Sequence, residues 1–394
     1  MLTIGITVQN KYDIFIFFLI ISLIGGVYGG ALTFSRVLTI LLLPQLVLLH
    51  LRNQCPYTHV FIVFFVAWLL YGLLSFYWTS DVANCAKEFV HYIITFAYFL
   101  EIITFSRFAN NPLKGLSLGW LCGFVFCSII AMWELITDRH LSVSMIQSDS
   151  VYNMGYGLVF LRRFASVTFG NYNSYVTYIC FSFPFILYAL NYNKWRYVAV
   201  FSVIIAFVIV GANASRGGII SLIGMLFVYL LLSSSKKMFF WFIPILLWMF
   251  FYGKGFDLLF ARMENLSDGR VEVWKNALSL WVSTAFIGSG MGSMVESMKC
   301  FQTIGVWMTH NLFLEILVQY GFVIFIPFVL FIILLVKDGL SLKDFDRRSV
   351  LLPCFLMMPV YSIINSSYLL NLYTAAFFAT LYIFVYYERI KSFC

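Results

Sequence analysis

Apolar runs close to twenty residues long recur along almost the whole chain, separated by short polar breaks. A helix needs roughly 20 apolar residues to cross the hydrocarbon core, and only helices or closed barrels satisfy their backbone there. The pattern predicts an all-α polytopic membrane protein with about twelve transmembrane helices. They fall near 12–31, 36–51, 58–78, 88–106, 115–136, 172–191, 196–213, 217–233, 238–252, 311–336, 349–365 and 368–387. Two stretches are too polar to sit in lipid, about 137–171 and 253–310, and the second is the longer. The chain reads as a single transmembrane domain over 1–394 with two larger extracytoplasmic loops. Its first apolar run is long enough to span and no small-residue cleavage site follows, so no cleavable signal peptide is expected.

Composition sharpens this picture. The chain is 62% hydrophobic and 11% charged, against about 25% charged residues in soluble domains. The net charge of +8 would suggest nucleic acid in a soluble protein. Here it follows from the Lys and Arg that cytoplasmic loops collect, and no nucleic-acid partner is expected. With the N-terminus inside, the inner side receives Lys11, Arg52, Arg107, Lys114, Lys194, Arg196, Lys236, Lys237, Lys337, Lys343, Arg347, Arg348, Arg389 and Lys391. The short outer loops receive only Arg36, Lys87 and Arg216. Both termini are therefore expected in the cytoplasm and both long loops outside. Tyr77, Trp78, Trp133, Trp195, Trp241 and Trp248 fall near span ends, as interfacial aromatics do. The cysteines show no CxxC spacing and the histidines are scattered, so neither a metal site nor a cofactor is expected.

The candidate chemistry gathers on the outer side. Arg162 and Arg163 precede Phe169-Gly170-Asn171-Tyr172-Asn173, where Asn173 is the expected N-cap of the sixth span. An arginine pair there either snorkels toward headgroups or clamps phosphate, which guanidinium binds bidentately. Ala214-Ser215-Arg216-Gly217-Gly218 lies between two spans with almost no loop. Arg216 must then sit near the membrane surface beside a helix N-terminus, where anions are favoured; its bland alternative is a cap on the preceding helix. Arg270 opens a helical stretch whose Val271, Trp274, Leu278 and Trp281 are expected to form the apolar face, with Asp268 as N-cap. The run Gly288-Ser289-Gly290-Met291-Gly292 lacks the P-loop pattern and reads as a flexible re-entrant turn. His310 and Asn311 open the tenth span, and Asn311, Glu315 and Gln319 form a polar stripe along it. A carboxylate in such a helix is a functional candidate, and a boundary histidine can act as a base near neutral pH; His310 and Asn311 could equally cap the helix.

These residues carry a resemblance. Ser215-Arg216-Gly217, Gly269-Arg270, Trp274, Gly288-Ser289-Gly290-Met291-Gly292 and His310-Asn311…Gly321, in this order and topology, resemble the bacterial O-antigen polymerase and O-antigen ligase superfamily of Wzy/WaaL type. Glu134…His140-Leu141 and the Phe169–Asn173 stretch are similar to relatives' sequences around the earlier loop, so the resemblance covers about 130–325. It implies a GT-C-like, metal-independent glycosyltransferase in the cytoplasmic (inner) membrane, with its site on the outer face. The donor and acceptor would be undecaprenyl-pyrophosphate-linked glycans. A chain-length regulator, a flippase and membrane lipid are the implied partners. Arg163, Arg216 and Arg270 would bind pyrophosphate, with Asn311 and Glu315 in the binding site. His310 would activate the acceptor hydroxyl, with Glu272 as second candidate base. The ligase pattern asks for a small residue or Tyr three positions after Gly321; this chain has Ile324, which favours a polymerase. The alternatives are a ligase moving finished glycan to lipid A core or another acceptor, and a lipid-linked oligosaccharide flippase or transporter. A transporter should carry midplane charges and internal symmetry, and the sequence shows neither.

Overall fold

A computed structural model describes residues 10–30, 32–52, 58–145, 150–153, 159–162, 164–232, 270–300, 308–365 and 367–392. The first half holds α1 (Asn10–Ser22), α2 (Phe34–Leu51), α3 (His59–Ser75), α4 (Val82–Phe108) and α5 (Pro112–Thr137). Then come α6 (Tyr172–Ala189), α7 (Arg196–Ala212), α8 (Arg216–Leu232), α9 (Arg270–Ser283) and α10 (Met294–Lys299). The chain closes with α11 (Leu312–Leu340), α12 (Phe345–Tyr361) and α13 (Leu372–Ser392). Every predicted span except 238–252, which lies outside the described residues, overlaps one of these helices, although α1 ends at Ser22, short of the predicted 31. Among them α2, α4, α5 and α11 are long and apolar enough to cross a membrane. Large apolar side chains such as Leu41, Val63, Leu74 and Ile136 are exposed on the bundle surface, as a lipid-facing belt requires. The protein is a helical membrane protein.

Helix starts follow local capping chemistry. The side chains of Asp81, Asn111, Asn311 and Asp344 accept from backbone amides of the first turns of α4, α5, α11 and α12. Asn171, rather than the expected Asn173, caps α6: its Oδ1 accepts from Asn173 N at 2.8 Å. The helix starts one residue later, at Tyr172, so Asn173 lies inside its first turn. The predicted all-α picture also gains a short antiparallel hairpin in the first long loop, β1 (Ser150–Asn153) and β2 (Val159–Arg162).

Contacts sort the loops onto two ends of the bundle. At one, the Asp13 carboxylate accepts from Asn110 N and Asn111 N (2.9 and 3.0 Å), Lys391 donates to Arg107 O (2.9 Å) and Arg347 pairs with Glu388 (3.1 Å). At the other, Val27 N donates to Thr168 O (2.8 Å), Asn84 Nδ2 to Gly292 O (2.6 Å) and Leu312 N to Ser362 O (2.9 Å). The latter end holds the candidate chemistry.

The glycine run is a packed wedge. Helix α11 breaks at Gly321, where φ is 58° and ψ is −160°. The carbonyls freed before the break are taken up by the run: Ser289 N donates to Val318 O (2.8 Å) and Gly290 N to Gln319 O (3.0 Å). Beyond it, Phe322 N donates to Phe286 O at 3.2 Å. The wedge's other flank meets α3 and α4. Trp78 Nε1 donates to Gly288 O (3.1 Å), Tyr71 Oη to Ile287 O (2.6 Å), and Met291 N to Ser75 Oγ (3.0 Å). Broken helices are tolerated at membrane depth where other protein groups satisfy the backbone.

Candidate functional site

Three separate parts of the chain converge on the turn after α12. Arg270 Nη1 donates to Ile363 O at 2.9 Å. The first turn of α8, which Arg216 opens, packs on the same segment: a Cβ on Gly217 would stand 3.1 Å from Ile364 Cγ1. His310 lies against the Ile364 backbone and within electrostatic reach of Arg270. Just beside it, Leu312 N donates to Ser362 O (2.9 Å) and Trp274 Nε1 to Thr309 O (2.8 Å). The structure thus brings Arg270, His310 and the first turn of α8, which begins at Arg216, around residues 360–364.

His310 is held in an unusual state. Its φ is +47°, a left-handed conformation that costs an L-residue roughly 1–3 kcal/mol and marks functional segments. With the Ile364 backbone on the ring, Nδ1 is buried without a hydrogen-bond partner. Burial, and then the positive charge of Arg270, lower its pKa to about 4. The imidazole therefore stays neutral well below the usual histidine range and offers a lone pair beside a guanidinium. The folded chain refuses on His310 a proton that the unfolded chain accepts below its ordinary pKa of about 6.5. His310 thus withdraws stability as pH falls from that value toward about 4. His310→Gln should flatten this part of an acid-melting profile, measured by thermal unfolding in detergent at stepped pH.

The other predicted residues are placed as follows. Asn311 Oδ1 caps α11, accepting from Phe313 N and Leu314 N at 2.9 and 3.3 Å. Glu315 is buried, and its two oxygens accept from Tyr368 N (2.8 Å) and Leu369 N (3.2 Å), tying α11 to the turn before α13. Gln319 completes the stripe by accepting from Gly292 N at 3.1 Å. Glu272 is exposed; two positions after Arg270, it is turned roughly 200° from it around the helix. Arg163, Asp268 and Gly269 lie outside the described residues. The expected apolar face of α9 holds for Trp274 and Trp281, which pack on the buried cluster, and is corrected for Val271 and Leu278. Val273, Ala277 and Leu280 are buried against Met294, Met298 and Val318, while Val271 and Leu278 are 60% and 42% exposed. Packing on α10 and α11 rotates the helix away from a face centred on those two residues.

Glu315→Ala would leave two buried amides without acceptors at about 1–3 kcal/mol each. A loss of roughly 2–6 kcal/mol is expected in thermal unfolding, with Glu315→Gln intermediate because one amide oxygen remains.

Sequence reasoning missed the frame around this group. Asn213, buried in the turn before Arg216, clamps Ala165 through both backbone groups, accepting from its N at 2.7 Å and donating to its O at 3.1 Å. Buried Glu134 accepts from Ser166 N (2.8 Å), Val167 N (2.9 Å) and Leu141 N (3.3 Å). Asn213 thus pins Ala165 of the first long loop to the Arg216 turn, and Glu134 pins Ser166 and Val167 to the end of α5. Val167 and Ala214 have positive φ, at 52° and 45°, so backbone strain collects here too. Asn365 joins the opposite wall, accepting from Ser174 Oγ at 3.1 Å and donating to Tyr373 Oη at 2.8 Å. The available signal was polarity: Asn213 and Asn365 are amides at junctions of apolar runs, where such residues pair or serve a site.

Comparison with known proteins agrees with this region. A family model described as O-Antigen ligase matches residues 199–329, which include Arg216, Arg270 and His310. Among curated proteins, the chain is similar to teichuronic acid biosynthesis protein TuaE of Bacillus subtilis (strain 168), 24% identical over 292 residues. That match covers 68% of this chain and 58% of the relative's length. Both similarities support the O-antigen ligase and polymerase superfamily.

Proposed function

We propose that this chain is a glycosyltransferase that polymerises undecaprenyl-pyrophosphate-linked oligosaccharide repeat units into surface polysaccharide, at the outer face of the cytoplasmic membrane. The observation that carries the reading is the convergence of Arg270, a neutral, strained His310 and the Arg216 end of α8 on one turn. Arg216, Arg270 and His310 all lie within the stretch that matches the O-antigen ligase family. The relative's role in teichuronic acid biosynthesis supports a cell-surface glycan as product. The reading adopts the twelve-span, GT-C-like topology with both termini inside.

In this mechanism Arg216 and Arg270 hold the donor's pyrophosphate. Two guanidinium groups and the N-terminus of α8 favour an anion and stabilise the charge that develops as it leaves. The acceptor's hydroxyl oxygen attacks the donor's anomeric carbon. The bond from that carbon to the pyrophosphate oxygen breaks, and the pyrophosphate departs with the electron pair. The hydroxyl proton passes to His310 Nδ1, which is buried and unpartnered and has the lone pair a base requires. Arg163 is assigned to the same anion from the sequence pattern. The ligase reading, supported by the matched family's description, shares this chemistry and differs in acceptor; Ile324 is the feature that favours the polymerase.

A deletion strain tests the choice, with surface glycan resolved by size. If deletion leaves single repeat units attached to their surface acceptor and the wild-type chain restores a ladder, the polymerase reading stands. If long lipid-linked polymer accumulates without attachment, the chain is a ligase.

A further inference from the structure

A groove of about 820 Å³ runs along the bundle between α3, α4, α11 and α13. It starts near the candidate site, at Leu312 and Leu369, and reaches Tyr382, Tyr386 and Arg389 toward the opposite end. Thr374 and Arg389 on α13 both line it, which gives a length of roughly 22 Å at 1.5 Å per residue. Half of a hydrocarbon core is about 15 Å, so the groove is long enough for an acyl chain from one leaflet. Its walls are apolar and largely aromatic: Phe61 meets Tyr382 ring to ring at 4.7 Å and Phe331 at 5.8 Å. Val60, Val63, Leu330 and Leu334 on its lip are exposed, so it opens sideways, where lipid lies.

The end of the groove away from the candidate site carries a charge. Arg389 is exposed, and among the described residues that line the groove it is the one charged side chain. Its basic neighbours are committed elsewhere: Arg347 pairs with Asp344 (2.7 Å) and Glu388 (3.1 Å), and Lys391 donates to Arg107 O (2.9 Å). The Arg389 guanidinium has no hydrogen bond or ion pair with any described residue. It stands within electrostatic reach of the Tyr382 and Tyr386 phenols, whose rings lie 4.7 Å apart. Asp338 on α11 does not line the groove, and the Tyr386 hydroxyl donates to it at 2.6 Å.

We propose that this groove binds an anionic phospholipid from the leaflet at the Arg389 end, with an acyl chain between α3 and α11 and the headgroup phosphate on Arg389. Shape and charge together select this occupant. Apolar walls that open sideways fit an acyl chain and leave nothing for a water-soluble ligand to bond. A guanidinium forks onto phosphate oxygens, and a basic pocket between membrane helices recruits anionic headgroups. A zwitterionic lipid also brings an ammonium group, which Arg389 repels. The bound chain adds packing between α3 and α11. That packing reaches the other end of the bundle, because Tyr71 and Ser75 of α3, with Trp78 just beyond it, hold the glycine wedge. Lipid binding here is independent of the transfer reaction.

The test uses the full chain in phosphatidylcholine nanodiscs that carry a minor share of phosphatidylglycerol brominated at mid-chain. Brominated phosphatidylcholine at the same share is the comparison. Bromine quenches tryptophan at contact, and Trp68 lines the groove, roughly 12 Å along α3 from Val60. Its share of the quenching is the difference between the unaltered chain and Trp68→Phe. The expected result is saturable quenching of Trp68 that favours phosphatidylglycerol roughly fivefold, the weight of one arginine on an anionic headgroup. Arg389→Gln should abolish the preference and Arg389→Lys keep part of it. Lys337→Gln, exposed at the same end but outside the groove, should leave it unchanged. Lipid retained through detergent extraction, counted by mass spectrometry, should show the same preference without the tryptophan variant. Equal quenching by both lipids, or equal loss of preference in Lys337→Gln, would overturn the proposal and leave only general attraction to a basic surface. Undecaprenyl phosphate displacing the brominated lipid more readily than unlabelled phosphatidylglycerol does would also overturn it.

Discussion

Gly321→Ala is expected to destabilise the folded chain by more than about 4 kcal/mol, the range reached only when a named structural feature fails. Two costs combine. The residue sits at φ +58° and ψ −160°, a region essentially reserved for glycine where a side chain adds about 1–3 kcal/mol. A Cβ there would also stand 2.1 Å from Phe286 O and 2.5 Å from Ile287 C. Both are backbone atoms, so no rotamer change relieves the overlap. The glycine wedge would have to leave the break in α11, giving up the bonds from Ser289 N to Val318 O and from Gly290 N to Gln319 O. Gly30→Ala is the control: its φ is +61°, but nothing lies within 4 Å of an added Cβ. It should cost only about 1–2 kcal/mol. Thermal unfolding of both variants in the same detergent checks the pair; similar melting temperatures would show that the wedge is not held as described.

Arg270→Ala should lower transfer by roughly 10²–10³-fold, the scale on which removing one donor to a developing anion acts. The proposal makes this guanidinium both a pyrophosphate ligand and a neighbour that keeps His310 neutral. Removing it would leave burial as the larger cause of the lowered histidine pKa. The acid limb of activity should therefore move upward from about pH 4 while remaining below that of an exposed histidine. Arg270→Lys should recover only part of the rate, because an ammonium cannot reproduce a planar fork that reaches both a phosphate and the Ile363 carbonyl. An initial-rate pH series on wild type, Arg270→Ala and Arg270→Lys checks both expectations.

The helices were legible because bilayer thickness imposes a length and an apolar composition on a crossing helix, and the runs around Trp68, Phe181 and Ile332 are predominantly apolar. The Arg216 turn was legible for the opposite reason: a charge with so little loop around it has few places to go. What stayed hidden depends on partners distant in the chain. Nothing near Glu315 in sequence announces that its carboxylate accepts from Tyr368 N and Leu369 N. Nothing near Asn213 announces Ala165. The face of α9 was misplaced because Val271 and Val273 look alike to periodicity, and only α10 and α11 decide which is buried. The cap of α6 fell to Asn171 because either asparagine satisfies the local rule.

The most direct measurement is made on the purified full chain, reconstituted in proteoliposomes with undecaprenyl-pyrophosphate-linked repeat units. Product length and released undecaprenyl pyrophosphate are followed together for wild type and His310→Ala. The account predicts that wild type builds a ladder and releases one lipid pyrophosphate per bond formed, and that His310→Ala, folded and present at equal amount, does neither. A ladder of undiminished rate from His310→Ala would contradict the proposed site. Absence of any product from wild type would contradict the proposed reaction.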